Sequence, residues 1–115
     1  KKTENGKSER LKEILRYISK NYYSELNIPS MAEKFHMSEK YFSRYFRVST
    51  GQNFTEYLNT LRIEKSLEFL RYTDNSITDI ALDCGYENIS YFNRIFKRYM
   101  NTSPLKYRNS FGKKN

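Results

Sequence analysis

Lys40, Ser43, Arg44 and Arg47 are spaced to share one face of a helix, and Ser90, Asn93, Arg94 and Lys97 repeat that arrangement fifty residues later. Each residue type suits a definite hydrogen-bonding task. A guanidinium bonds guanine O6 and N7 together, an asparagine amide pairs with adenine N6 and N7, and a serine hydroxyl adapts to either. Lys40, Arg47, Lys97 and Arg98 could also neutralise phosphates, and helix starts capped by Ser38 and Asn88 would present free N–H groups to them. An ordinary solvated helix face accounts for one such run. Its occurrence twice, with arginine at the same helical position, favours a surface that is used twice.

The elements that position these residues are repeated as well. Ile28, Met31, Ala32 and Met37 recur as Ile77, Ile80, Ala81 and Tyr86 at an offset of 49, and Tyr41, Phe42, Arg44, Phe46 and Tyr57 recur as Tyr91, Phe92, Arg94, Phe96 and Tyr107 at an offset of 50. One residue has therefore been inserted in the second turn. Asn27 and Ser76 are suited to cap short helices near 28–35 and 77–84, with Pro29 in a first turn where its missing N–H costs nothing, and Ser76 with Asp79 fits a capping box. His36 and Gly85 share the turn position, which suits residues that tolerate positive φ. Two longer helices follow, 39–49 and 89–99, ending at Gly51 and Asn101, the types that best adopt a left-handed C-cap. In each, Phe42, Tyr45, Phe46 and Ser49, or Phe92, Ile95, Phe96 and Tyr99, lie opposite the polar run. Tyr41 and Tyr91 are placed at the edge of that run, within reach of a backbone phosphate.

Asn53 and Ser103 are placed to cap the next helices, with Pro104 at a first position. After Asn53 the apolar positions are 54, 57, 58 and 61 on one side, then 63, 67 and 70 on roughly the opposite side. Such a helix packs its first half on one unit and its second half on the other, holding them at a fixed separation. Phe69 does not fit that scheme. Ahead of the repeat, Leu11, Ile14, Leu15, Ile18 and Tyr22 make an amphipathic stripe after a cap at Ser8 and predict a brace helix. The expected division is a linker or disordered end at 1–7, a first unit with its brace at 8–51, a connector at 52–72, a second unit at 73–110 and a basic tail at 111–115.

Composition agrees with a helical polyanion binder. The 115 residues carry a net charge of +8, and 11 Tyr and 8 Phe offset a modest 37% hydrophobic fraction. From position 88 onward there are seven basic residues, Arg94, Lys97, Arg98, Lys106, Arg108, Lys113 and Lys114, and no acid. That is the electrostatic footprint of a polyanion-binding surface, although a solvated basic surface would give the same count. A single Cys84 and a single His36 leave no intrachain disulfide and no credible metal site, and Cys84 falls in an apolar helical pattern as a core residue. No carboxylate pair, Ser-His-Asp set or phosphate-cradling glycine loop is present, so no catalytic residue and no cofactor is expected. With no leader and no long apolar run, the chain reads as soluble, without a membrane partner, and cytoplasmic. It begins at Lys1, as a piece of a longer protein would.

Residues 27–70 and 76–108 resemble the DNA-binding domain of the AraC/XylS family of bacterial transcription regulators. The specific elements are Gly85-Tyr86, Tyr91-Phe92-x-Arg94-x-Phe96-Lys97 and Ser103-Pro104-x-x-Tyr107-Arg108, and the likeness covers about residues 8–110. It implies an all-α fold of seven helices, with two homeodomain-like helix-turn-helix units joined by a long connector and both recognition helices in successive major grooves. Carried over by position, the base-reading residues are Lys40, Ser43, Arg44, Ser90, Asn93 and Arg94; Ser38, Tyr41, Arg47, Asn88, Tyr91, Lys97 and Arg98 are left for phosphates. Ser66 stands where the family usually has Ala, Asn101 replaces a usual Gly, and Phe54 lacks the proline found at Pro104. The resemblance further implies double-stranded DNA as partner, association with the nucleoid, an additional sensing or dimerisation domain outside these residues, and contact with RNA polymerase in an activator. The expected function is sequence-specific DNA binding in transcription regulation. The alternative is a nonspecific basic nucleic-acid-binding or architectural protein, for which charge alone suffices.

Overall fold

A computed structural model describes the backbone from residue 2 to 111 and the side chains from 9 to 111. Among these residues are seven helices and no strand: α1 (Lys2–Asn21), α2 (Ile28–Lys34), α3 (Glu39–Thr50), α4 (Phe54–Tyr72), α5 (Ile77–Asp83), α6 (Ile89–Met100) and α7 (Pro104–Asn109). The chain divides into two compact units, Lys1–Leu58 and Asn59–Asn115. None of the described helices is long and apolar enough to cross a membrane.

In the first unit α1 braces α2. Ile14 and Ile18 are fully buried, Tyr17 packs edge-on against Phe35 at 5.8 Å, and Arg10 Nη2 donates to the Phe35 carbonyl at 2.7 Å. The helix is already under way at Lys2, ahead of the cap expected at Ser8, so the backbone of residues 2–7 is helical. No proline interrupts that stretch, and Gly6 is its single poor helix former. The expected basic tail lies, past Phe111, outside the described residues.

Local chemistry sets the remaining helix ends. Asn27 and Ser30 make a reciprocal capping box on α2, and Ser76 accepts from the Asp79 N–H at the start of α5. A second reciprocal box opens α4: Asn53 Oδ1 accepts from the Glu56 N–H at 2.8 Å while Glu56 Oε1 accepts from the Asn53 N–H at 3.2 Å. The positive-φ positions are those the turns require, His36 at 60° and Gly85 at 100° between paired helices, Gly51 at 82° and Asn101 at 59° as C-caps.

The α4 helix changes its buried side where the apolar pattern changes. Phe54 lies 5.7 Å from Phe42 and 5.6 Å from Phe46, with Tyr57 5.3 Å from Phe46, all in the first unit. Ile63 and Leu70 belong instead to the second unit's core with Ile80, Ala81, Cys84, Tyr86, Phe92, Ile95 and Phe96. Phe69, which the face pattern left without a place, packs on this second core from its flank together with Leu67. Each fully buried Phe contributes roughly 1.5–3 kcal/mol by leaving water.

A polar stripe on α4 accompanies that second face. Asn59, Arg62 and Ser66 are all buried, three and four residues apart. Tyr86 Oη donates to Asn59 Oδ1 at 2.7 Å, Ser66 Oγ donates to the Ile63 carbonyl at 2.7 Å, and the Arg62 guanidinium lies 5.4 Å over the Tyr86 ring. Burial holds Arg62 below its ordinary value, opposed by Tyr86. No described buried side-chain nitrogen or oxygen is left without a partner.

Candidate nucleic-acid interface

Two equivalent surfaces emerge, one per unit, because the same aromatic packing presents the same helical face twice. Phe42 and Phe46 are fully buried at 5.7 Å from each other, as are Phe92 and Phe96 at 5.7 Å, and Tyr57 and Tyr107 meet the second ring of each pair edge-on. Rotating either helix would expose two Phe rings, so the polar face is held outward by the energy of the core behind it.

On α3, Lys40, Arg44 and Arg47 are exposed and Ser43 is half-buried beside them; on α6, Ser90, Asn93, Arg94, Lys97 and Arg98 are all exposed. Ser38 Oγ accepts from the Tyr41 N–H at 3.1 Å and Asn88 Oδ1 from the Tyr91 N–H at 3.0 Å. Both caps therefore spend their side-chain oxygens as acceptors on their own helices, and what they offer an anion is the first-turn N–H groups together with the Ser38 hydroxyl and Asn88 amide donors. Tyr41 is 55% exposed and stacks on Tyr45, whereas Tyr91 is 38% exposed and leans on Tyr86 at 5.8 Å. The two tyrosines stand at the edge of the polar faces, as their spacing indicates.

The paired arginines differ in setting. Arg44 lines a groove of about 560 Å³ with Lys40, Ser43 and Arg47, closed by Ile28, Asn53, Phe54 and Thr55. Arg94 holds its guanidinium 5.3 Å over the Tyr91 ring. The corresponding groove of the second unit, about 420 Å³, is lined by Asn93 and Lys97 with Ile77, Thr78, Ile89, Ser103, Pro104 and Leu105.

One of the basic residues counted toward a polyanion is structural. Arg108 Nε donates to the Leu70 carbonyl at 3.0 Å and Nη2 to the Thr73 carbonyl at 3.1 Å, satisfying orphan acceptors at the end of α4. Arg71 lies 4.5 Å over the Phe111 ring. Lys113 and Lys114 lie outside the described residues. Cys84 is fully buried, and desolvation with the nearby Asp83 charge pushes its thiol up to about 12, so it is core and not a nucleophile. Desolvation pushes the Tyr86 phenol up as well.

The Tyr86–Asn59–Arg62 group, which positions the turn before α6, escaped the sequence reading. Its signal was available in part, since Asn59, Arg62 and Ser66 share one helical face with Ile63 and Leu70 close by.

A fold of paired short and long helices, repeated with its exposed polar face, defines a double helix-turn-helix module. Residues 31–110 match the helix-turn-helix domain family. A helix-turn-helix-type transcriptional regulator of Staphylococcus aureus strain MSSA476 is 35% identical over 100 residues, which make up 87% of this chain and 13% of that protein. The transcriptional activator RhaS of Escherichia coli O139:H28 is 35% identical over 95 residues, 83% of this chain and 34% of that one. Among solved structures, the C-terminal domain of AraT, a response regulator from Geobacillus stearothermophilus, superposes with a TM-score of 0.85 at 33% identity, covering 88% of this chain and 84% of that chain. The DNA-binding domain of the global transcriptional factor AdpA, solved with a target DNA, gives 0.84 at 26% identity, covering 88% and 91%. The chain belongs to the helix-turn-helix family of AraC-type transcription regulators, as a DNA-binding domain. It spans about an eighth of the length of the Staphylococcus relatives, 13%.

Proposed function

We propose that this domain reads a specific duplex DNA sequence with Lys40, Ser43 and Arg44 of α3 at one half-site and Ser90, Asn93 and Arg94 of α6 at another. Ser38, Tyr41 and Arg47 in the first unit, and Asn88, Tyr91, Lys97 and Arg98 in the second, hold the flanking phosphates. The observation that carries this reading is the double occurrence of an exposed polar face locked outward by a buried Phe pair. Recognition helices present such side chains to base edges in the major groove, and phosphate contacts set their register. AdpA, whose DNA-binding domain is similar in fold, was solved with a target DNA, which supports DNA as the partner of this domain.

The test is a binding titration of this chain on its selected operator and on random duplex at physiological salt. A base-reading module favours the operator by about a thousandfold or more. Equal affinity for both would replace this reading with a nonspecific basic binder. The intact regulator, on this reading, acts at the nucleoid, carries a sensing or dimerisation segment beyond these residues and contacts RNA polymerase; the similarity to RhaS, a transcriptional activator, supports a role in activation.

A further inference from the structure

We infer that the two reading heads have different chemical preferences, the first for guanine-bearing pairs and the second for A·T pairs presenting thymine methyls. This rests on the base-reading role of α3 and α6 given above. The grooves beside the two helices occupy corresponding places in the repeat, yet their linings diverge. The first carries three cations, Lys40, Arg44 and Arg47, next to Ser43. The second carries one, Lys97, next to Asn93, with an apolar rim of Ile77, Ile89, Pro104 and Leu105.

The divergence has a clear chemical sense. At the first helical position α3 has Glu39, an acceptor suited to the cytosine amino group, and α6 has Ile89, which offers only methyl groups. Ser43 is matched by Asn93, the amide that bonds adenine at N6 and N7. Arg44 faces its groove among other donors, whereas Arg94 rests on Tyr91, so a guanine contact from α6 would first have to break that stacking. Asn93 toward adenine with Ile89 beside the thymine methyl of an adjoining pair is the recognition this face can make without rearrangement. The acid-free stretch from residue 88 supplies the long-range attraction that brings an otherwise apolar groove onto a polyanion.

The experiment selects bound duplexes from a random pool and assigns the halves of the resulting site with Arg44→Ala, which relaxes the α3 half only. Thymines are then replaced by uracil, one half at a time, removing nothing but the methyl groups. We expect G·C pairs in the α3 half and A·T pairs in the α6 half, with uracil in the α6 half weakening binding about fourfold per buried methyl. Uracil in the α3 half should have no effect. Asn93→Ala should relax the adenine position alone; this exposed residue lies outside the core, and the uracil arm needs no variant at all. Enrichment of G·C in both halves, or a silent uracil substitution in the α6 half, overturns the inference while leaving sequence-specific reading intact. A pool that shows no enrichment overturns both.

Discussion

Removing the Tyr86 hydroxyl should cost far more than the small change in volume indicates. Tyr86→Phe keeps the ring beside Arg62, Tyr91 and Phe92 and deletes only the donor that meets Asn59 Oδ1 at 2.7 Å. Tyr86 is 3% exposed and Asn59 7%, so water cannot readily replace the lost partner. A buried acceptor left unpaired costs about 1–3 kcal/mol. At roughly 4–8 °C per kcal/mol for domains of about this size, a midpoint of the range lowers Tm by roughly 10 °C. Replacing both partners, as in Asn59→Leu with Tyr86→Phe, removes the orphan and should restore much of the loss. Urea unfolding of the four proteins by circular dichroism closes the cycle and yields the coupling directly. Because Tyr86 also touches Tyr91 and Phe92, the single variant should blunt discrimination in the α6 half of the operator while sparing the α3 half. A Tyr86→Phe cost below about 0.5 kcal/mol, or single changes that simply add in the double variant, would refute the claim that this bond anchors α6.

Further outcomes follow from the same structure. Arg44→Ala should cost about 1–3 kcal/mol on the cognate site and relax one base position, measured on a panel of single-base operator variants; Arg94→Ala should cost less, since its guanidinium gives up the Tyr91 contact, worth about 0.5–1 kcal/mol at an exposed site, in order to read a base. Lys97→Ala should weaken all sequences alike and lower the slope of affinity against salt by about one unit, whereas uniform loss in Arg44→Ala would make that residue a phosphate contact. Arg108→Ala should destabilise the domain in thermal unfolding and leave the salt slope of binding unchanged, because its donors serve Leu70 and Thr73 and not an anion. The folded Cys84 thiol titrates at about 12 instead of 9.0, so the unfolded chain releases its proton first; stability should be intact below pH 9.0 and fall as pH rises toward 12, with Tyr86 shifted in the same direction. Urea midpoints across that window, with Cys84→Ala showing a shallower decline, check the sign.

Much of this fold was legible because its signals act over a few residues. The caps at Asn27, Ser38, Ser76, Asn88 and Ser103, and the left-handed positions at His36, Gly51, Gly85 and Asn101, depend on a side chain and a backbone group within one turn. The change of buried face along α4 was legible for the same reason, since 3.6 residues per turn converts spacing into direction. Helix α1 is where local signals misled: Ser8 has the chemistry of a cap, but capping needs a helix that stops there, and no residue from Lys2 to Lys7 forbids another turn.

The sequence by itself determined which faces turn inward and which polar side chains stand on the outward faces of α3 and α6, because both follow from periodicity and from the burial of Phe42, Phe46, Phe92 and Phe96. Only the tertiary structure decided how the long-range polar groups are spent. Tyr86 reaches Asn59 across 27 residues, and Arg108 reaches Leu70 and Thr73 across 38 and 35. A helical pattern says that a residue faces inward or outward, but it does not say which distant carbonyl lacks a donor. The contrast between Arg44 in its groove and Arg94 on Tyr91 has a related origin: the two positions match in sequence and the cations beside Arg44 lie on α3 itself, but the groove walls, Ile28, Asn53, Phe54 and Thr55 in one unit and Ile77, Thr78, Ser103, Pro104 and Leu105 in the other, come from segments separated along the chain.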